Sequence, residues 1–299
     1  MIDLFEYTNA SWVQYDDYEW KKAEDGNLYL LPTKDAKPMP YNPMRVAEDI
    51  VLNAAEIGLS LFRKDRDEDK IREAMRQFAI KYGLLGIMTA LPTTPKFIQY
   101  EKVYFPTNDF IKAESMDTME YLKLFHPFEM PDFVKHGKES TWEMEDRTMM
   151  ALIMTYQSSP QAMVMSFMRN YGERYDWIAR SFKDWTFTLL TTRYFYDTEN
   201  PPNEDERLVY RKGMAAFEGN APTYHLELWD DRPRIVWDFH SLLGNIKLMF
   251  SLMLTDKSTP LRFCRQCDKP FIAKQINSEF CSPACREQHK KELNKRKKK

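Results

Sequence analysis

All four cysteines of this 299-residue chain lie in one stretch of 22 residues near its C-terminal end. They follow the pattern C-x2-C-x13-C-x3-C and are Cys264, Cys267, Cys281 and Cys285. Two close pairs of cysteines joined by a short linker are typical of a tetrahedral zinc site with four thiolate ligands. Two disulfides are the alternative, but the sequence after Met1 has no apolar secretory segment, and a chain of this length builds a core without such bridges. The pattern therefore predicts one Zn2+ ion held by four cysteines.

The residues around the cysteines predict a treble-clef-like zinc finger, in which a zinc-binding hairpin is followed by a helix. Phe271–Ala273 has the composition of a short strand, and Ser278–Phe280 is its predicted partner. Ser282 is a favoured N-cap and Pro283 a favoured first helical residue, so a helix should begin there. Cys285 then lies in the first turn, where the positive end of the helix dipole suits the net charge of about −2 on zinc with four thiolates.

His289 follows Cys285 by four residues, on the same side of the predicted helix, and is an alternative metal ligand. It would complete a site with three cysteines and one histidine. Because four cysteines already complete the tetrahedron, we expect His289 and Leu293 to face the small core of the finger instead.

The charge of the chain is divided between its two parts. Residues 261–299 contain 12 Lys and Arg against 4 Asp and Glu, whereas residues 1–260 contain 31 against 41. Cations on a helix surface can neutralise phosphates, so the basic helix predicts nucleic-acid binding. The alternatives are a solvated lysine tail, a solubility device, and a finger that docks on the acidic part of the same chain or binds another protein. The predicted nucleic-acid contacts are Arg286, Lys290, Lys291, Lys295 and Arg296.

The sequence predicts two domains, a body at residues 1–258 and the zinc finger at residues 259–299. The body should be mainly α-helical with small β-hairpins, an α+β fold, because only 9 of the 299 residues are glycine and a turn-rich all-β fold is thereby disfavoured. No apolar run approaches the roughly 18 residues that cross a membrane. We therefore expect no membrane association and a cytoplasmic location.

Apolar periodicity and capping residues place the elements of the body. Asp67 is the predicted cap of one helix and Gly83 its C-terminal stop. The predicted helices span residues 43–62, 67–82, 118–125, 173–194 and 240–254; a hairpin joins residues 225–229 to 234–239, and residues 27–32 and 97–105 are predicted strands.

Two stretches carry a resemblance to a known family. PRIVWDFHSLLGNIKLMFSLMLTDKSTPLRFCRQCDKPFI, residues 233–272, resembles the junction in bacterial proteins that have a CGNR-type zinc finger behind an ABATE-like helical domain, and FAIKYGLLG, residues 78–86, is similar to a helix ending in that group. The resemblance covers residues 45–90 and 225–290. It implies a transcription regulator whose finger binds DNA rather than RNA and whose body senses a small-molecule or protein ligand.

The sequence departs from that family directly after the fourth cysteine. Cys285 is followed by Arg286-Glu287-Gln288 and not by Gly-Asn-Arg. The cysteine ligands therefore match the family pattern, whereas the Asn and Arg that the family is thought to use on DNA have no counterpart.

An enzyme is the competing class, and the sequence favours it least. None of the five histidines forms an HExxH pair, and neither a glycine-rich phosphate loop nor a G-x-S-x-G elbow is present. We therefore expect no enzymatic activity, with a nuclease as the alternative. A group of methionines indicates either a flexible core or an adaptable apolar ligand surface. Its members are Met144, Met149, Met150, Met154, Met163, Met165 and Met168.

Overall fold

The structure, a computed structural model, has an α+β fold, as the sequence predicts. It describes residues 12–90, 100–105, 108, 110–130, 168–196, 203–215, 217, 223–229, 232–238, 240–255, 261–275 and 277–296. The helices are α1 (Ala47–Leu61, after the 3-10 turn Pro43–Val46), α2 (Glu68–Tyr82), α3 (Ile87–Ala90), α4 (Thr118–Lys123), α5 (Tyr175–Tyr196), α6 (Glu204–Ala215), α7 (Leu242–Thr255) and α8 (Pro283–Arg296).

The strands form small antiparallel sheets. They are β1 (Trp12–Tyr15), β2 (Tyr18–Lys22), β3 (Leu28–Pro32), β4 (Pro38–Tyr41), β5 (Lys102–Tyr104), β6 (Ser115–Asp117), β7 (Glu173–Arg174), β8 (Thr223–Trp229), β9 (Arg232–Asp238), β10 (Leu261–Phe263) and β11 (Pro270–Ile272). The described strands pair as β1–β4, β2–β3–β7, β5–β6, β8–β9 and β10–β11.

The local signals in the sequence place most of these elements correctly. The five predicted helices correspond to α1, α2, α4, α5 and α7, and the predicted hairpin is β8–β9. The Asp67 carboxylate caps α2 by accepting from the backbone N–H groups of Asp69 and Lys70, and Gly83 follows the helix with φ +85°. Helix α6 was not predicted from the sequence. Of the methionine group, only Met168 lies within the described residues, and its side chain is buried.

The described residues fall into two compact units. The first contains the described residues within 1–44, 72–178 and 222–243, and the second contains those within 45–71, 179–221 and 244–299. The cysteine stretch thus belongs to the second unit together with α1. Within the described part of the chain, no helix has both the length and the apolar character needed to cross a membrane.

The first unit is organised around the segment that follows α2. The Trp12 indole donates to the carbonyl of Leu84 at 3.0 Å, and the backbone N–H of Leu243 donates to the carbonyl of Leu85 at 2.7 Å. The buried carboxylate of Glu173 accepts from the backbone N–H groups of Leu85 and Ile87 at 2.9 and 2.8 Å. These bonds satisfy backbone groups that have no partner within a helix or sheet.

His126 is a buried titratable side chain in the same unit. Burial lowers its pKa to about 4, although a hydrogen bond between its Nδ1 and the carbonyl of Asn170 acts in the opposite direction. Its ring also contacts the ring of Tyr171, with centroids 5.8 Å apart. The folded state therefore holds His126 neutral at a pH where the unfolded chain, with a pKa near 6.5, binds a proton.

Acidification is expected to destabilise the protein through His126. Because the folded pKa is depressed, this contribution is complete above about pH 6.5 and declines as the pH falls toward 4. Between pH 7.5 and pH 5 the free energy of unfolding should fall by about 2 kcal/mol more in the wild type than in a His126→Gln variant. Urea unfolding at both pH values measures this difference, and equal pH dependence in the two proteins would contradict it.

In the second unit, α1 and α5 approach each other closely. A Cβ atom at Gly58 would lie 1.8 Å from Thr186 Oγ1 and 2.6 Å from the carbonyl oxygen of Phe182, so only glycine allows this approach. The Trp185 ring, also on α5, meets the Phe250 ring of α7 edge-on, with centroids 5.6 Å apart. Helices α1, α5 and α7 therefore supply the apolar core of the unit that carries the cysteines.

Candidate metal centre

The first two cysteines lie at the turn of the β10–β11 hairpin. Its register pairs Leu261 with Ile272 and Phe263 with Pro270. The backbone N–H of Cys264 donates to the carbonyl of Lys269, and that of Asp268 donates to the carbonyl of Cys264, both at 2.9 Å. Asp268 takes the left-handed conformation, with φ 56°. This tight turn brings Cys264 and Cys267 to the same end of the hairpin.

This pairing corrects one sequence prediction. Phe271–Ala273 was predicted to pair with Ser278–Phe280, but β11 pairs with β10. The segment before Cys281 instead contacts the turn, because Arg265 donates its backbone N–H to the carbonyl of Glu279 at 3.0 Å. β10 and β11 pair because their connection, residues 264–269, is closed by the backbone hydrogen bonds between Cys264 and Lys269 and between Asp268 and Cys264, with Asp268 in the left-handed conformation.

The other two cysteines lie at the start of α8, as predicted. The helix begins at Pro283, and the Ser282 hydroxyl accepts from the backbone N–H of Cys285 at 3.2 Å. This is the bond from an N-cap side chain to the third helical residue. It fixes Cys285 in the first turn, with Cys281 directly before the helix.

The four sulfur atoms form a compact group that can hold a metal ion. Among the described residues, this is the one group of three or more His, Cys, Asp or Glu with such geometry, and its ligand atoms all lie within 4.8 Å of one another. Cys267 Sγ and Cys281 Sγ are 3.7 Å apart, and Cys281 Sγ and Cys285 Sγ are 3.5 Å apart. A tetrahedral ion with metal–sulfur bonds of about 2.3 Å requires sulfur–sulfur distances of about 3.8 Å. All four thiols are free, and the spacing of their sulfur atoms fits a metal site.

The thiols differ in their surroundings. Cys264 is fully buried, whereas Cys267 and Cys281 are exposed. Burial opposes ionisation of Cys264, but backbone N–H groups of Cys281, Cys267 and Gln266 donate to its sulfur and lower its pKa to about 7. Partial desolvation by the surrounding protein, followed by the neighbouring thiols of Cys285, Cys264 and Cys267, raises the pKa of Cys281 to about 12. Backbone hydrogen bonds to its sulfur thus favour the thiolate form of Cys264.

A small apolar cluster supports the site. Phe271 and Ala273 pack with Cys264, and Phe280 and Cys285 lie against them. On α8, the ring of His289 contacts the ring of Phe280 at 5.2 Å, as expected for a residue facing this core. Leu293 was expected to face it too, but it is 43% exposed, because α8 extends beyond the cluster.

Gln266 connects the cysteine turn to α8, a contact that no sequence pattern predicts. Its side-chain oxygen lies 3.2 Å from His289 Nδ1, and its amide nitrogen donates to Glu292 at 3.1 Å. His289 therefore takes a hydrogen-bonding role beside the metal site, while the group of ligand atoms consists of the four cysteines.

The predicted nucleic-acid contacts lie on the exposed surface of α8. Arg286, Lys290, Lys291 and Lys295 are all exposed. None of the four forms an ion pair with an acidic residue in the part of the chain that the structure describes, although Glu287 and Glu292 lie on the same helix. Arg296, the fifth predicted contact, is the last residue of α8.

The finger also contacts α1 within the second unit. Strand β11 lies against α1, and Lys269 Nζ forms an ion pair with Glu56 Oε1 at 3.0 Å. Both side chains are about half exposed or more, so the pair contributes at most about 1 kcal/mol. The sequence could not indicate this contact, because a lysine and a glutamate 213 positions apart carry no pairing signal.

Comparisons with models of protein families, with curated proteins and with solved structures find no match to this chain. The similarity of residues 45–90 and 225–290 to CGNR-type finger proteins therefore stays a prediction.

Proposed function

We propose that the four cysteines bind one structural Zn2+ ion in a treble-clef-type finger, and that the finger presents α8 to nucleic acid. The observation that carries the proposal is the convergence of four sulfur atoms at the N-terminus of a helix whose cations are exposed. In this proposal the chain is a bacterial regulator, and its body binds a small-molecule or protein ligand that controls the finger.

Zinc is the proposed metal because four thiolates in a tetrahedron are the donor set of structural zinc sites. Cys264, Cys267, Cys281 and Cys285 fill all four positions, so no position stays open for a water or a substrate. A nuclease that used this metal for catalysis is therefore the least supported alternative. The treble-clef assignment is supported by the hairpin turn that carries Cys264 and by the helix whose first turn carries Cys285.

The cations of α8 form two rows on either side of its metal-facing surface. Residues four apart lie on the same face of a helix. Arg286 and Lys290 therefore form one row, Lys291 and Lys295 form the other, and the surface at Cys285 lies between them. A helix with cations on both flanks can contact phosphates on both walls of a groove, and DNA is the proposed partner because a B-DNA major groove admits one α-helix.

The proposal predicts binding to duplex DNA with a steep salt dependence. Five phosphate contacts, from the four described cations and Arg296, correspond to a slope of log K against log salt of about −4.5. A variant with Arg286, Lys290, Lys291 and Lys295 all replaced by Gln should have a slope that is shallower by about 3.6. Fluorescence anisotropy with zinc-loaded full-length protein, between about 50 and 200 mM salt, measures both values.

A matched control replaces four exposed lysines of the body, Lys34, Lys64, Lys102 and Lys123, by Gln. It changes the net charge by the same amount and should keep the wild-type slope. Equal loss of affinity in both variants would indicate a general charge effect and contradict a contact made by α8. Duplex RNA and single strands in the same titration test the preference for DNA.

A second candidate function is intramolecular docking, in which the finger serves only to join parts of the body. The packing of β11 on α1 and the Lys269–Glu56 ion pair favour it. Docking through this surface leaves the cations of α8 exposed, so it accounts for the hairpin of the finger but gives the basic helix no role. In this case the wild type would not bind nucleic acid at physiological salt.

A further inference from the structure

The β8–β9 hairpin has one face that consists entirely of uncharged, mostly apolar side chains. Its register pairs Tyr224 with Trp237, Leu226 with Ile235 and Leu228 with Pro233. Side chains alternate between the two faces of a strand, so paired residues share a face and these six lie together. We call this set the apolar hairpin face.

Most of the apolar hairpin face is exposed to solvent. Tyr224 is 65% exposed, Leu226 67%, Leu228 77% and Ile235 46%. Contiguous exposed apolar surface on this scale commonly marks a binding site in a folded protein. The face includes no charged side chain that would select an acidic or a basic partner.

The hairpin is held in place at its base, so the face exists before any partner arrives. Thr223 Oγ1 lies 2.7 Å from His240 Nε2 at the start of β8. Beyond β9, the backbone N–H of Leu243 donates to the carbonyl of Leu85. In the described part of the chain β8 and β9 pair only with each other, so no described strand extends the sheet. A surface that is ordered in advance loses less conformational entropy on binding.

We propose that the apolar hairpin face is a homodimer interface, and that its occupant is the same face of a second copy of this chain. The exposures correspond to roughly 600 Å² per copy, or about 1,200 Å² in a symmetric pair, which reaches the lower range of specific interfaces. Homodimer interfaces are more apolar than those of transient partners, and this face is uncharged and mostly apolar.

Two-fold symmetry suits the shape of the hairpin. An isologous interface requires a surface that complements itself. Two antiparallel ribbons that stack face to face satisfy this requirement, with their strands aligned within about 30° as in a β-sandwich. Leu226 and Ile235, the central pair of the register, then lie at the centre of the interface, where the residues that contribute most to the binding energy cluster. This inference does not depend on nucleic-acid binding.

Analytical ultracentrifugation of the zinc-loaded full-length chain tests the proposal. Between about 1 and 100 µM the weight-average mass should rise from near 35.7 kDa toward twice that value. A Leu226→Glu/Leu228→Glu variant should weaken dimerisation at least about 30-fold. Both side chains are exposed in the monomer, so its circular dichroism and melting temperature should stay unchanged.

The matched control is Leu208→Glu/Val209→Glu on α6, which replaces two apolar residues that are 53% and 59% exposed. This control should dimerise like the wild type. A monomeric wild type at 100 µM, or a dimer that the control disrupts and the hairpin variant does not, would overturn the proposal. Association of the monomer with lipid vesicles through Leu226 and Leu228 would overturn it too, because the face would then be a membrane contact.

A crosslinking experiment identifies the occupant directly. Benzoylphenylalanine in place of Tyr224, in a mixture of 14N- and 15N-labelled chains, should give mixed-isotope crosslinks between two copies of residues 223–238. Crosslinks confined to single chains would show that another part of the same chain covers the face. Crosslinks to a different region of the second copy would equally rule out the symmetric interface.

Discussion

Removal of the metal is expected to unfold the finger while the core of the first unit stays folded. Among the described residues, the apolar cluster around the site consists of the buried residues Cys264, Phe271 and Ala273, with Phe280 and Cys285 partly buried. So small a core cannot offset the conformational entropy of residues 261–296. A structural zinc ion in a finger contributes about 10–16 kcal/mol of binding free energy, which is free energy of folding when the site does not exist in the unfolded chain.

Hydrogen exchange after chelation measures this effect. Amides of β10, β11 and the first turn of α8 should lose their protection, whereas those of α2 and β3 should keep it. Elemental analysis of the purified protein should find about one zinc per chain. Cys264→Ser should lose zinc more completely than Cys267→Ser, because Cys264 is the buried member of the cluster and Cys267 is exposed.

Ser282→Ala is the control for this experiment. It removes the N-cap of α8 at a cost of about 1 kcal/mol and leaves all four thiols in place. The variant should therefore retain its zinc and the protection of β10 and β11. Stoichiometric zinc in both Cys264→Ser and Cys285→Ser would contradict the four-cysteine site.

The parts of the structure that could be predicted from the sequence are those set by local contacts. Asp67 caps α2 and Ser282 caps α8 through bonds to backbone groups two or three residues away. Gly83 ends α2 because its left-handed conformation is strained for other residues. The spacing of the cysteines likewise predicts a site, since the metal itself limits which residue types and spacings can serve as ligands.

The sequence could not predict contacts between distant residues. Leu85 and Glu173 are 88 positions apart, and Lys269 and Glu56 are 213 apart. No pattern in the neighbouring sequence marks either pair. A glutamate that accepts from buried backbone N–H groups cannot be distinguished by sequence from a glutamate that faces solvent. The sequence alone predicts that Glu173 is a solvent-exposed acidic residue in the first turn of a helix. The structure shows instead that its side chain is fully buried.

Replacement of Glu173 by Ala is expected to destabilise the protein by about 3–5 kcal/mol. Its carboxylate accepts from the backbone N–H groups of Leu85 and Ile87 and from the Tyr171 hydroxyl, with donor–acceptor distances of 2.8–2.9 Å. Alanine leaves these buried donors without an acceptor, and each unsatisfied donor costs about 1–3 kcal/mol. The Tyr171 hydroxyl in turn accepts from the backbone N–H of Met88, so the loss extends along residues 84–88. Urea unfolding measures the change, and the exposed Glu101→Ala is the control, with an expected effect within about 0.5 kcal/mol.

Glu173→Gln separates the charge of this side chain from its shape. Burial raises the pKa of Glu173 above its ordinary value of 4.5, against the opposing effect of the backbone N–H groups and the Tyr171 hydroxyl. A raised folded pKa means that the contribution of Glu173 to stability is complete below about pH 4.5 and declines as the pH rises through the folded pKa. Glutamine does not titrate, so Glu173→Gln should destabilise the protein more at pH 5 than at pH 8. His126 titrates alike in both proteins and cancels in the comparison, and a loss independent of pH would show that Glu173 keeps its ordinary pKa in the folded protein.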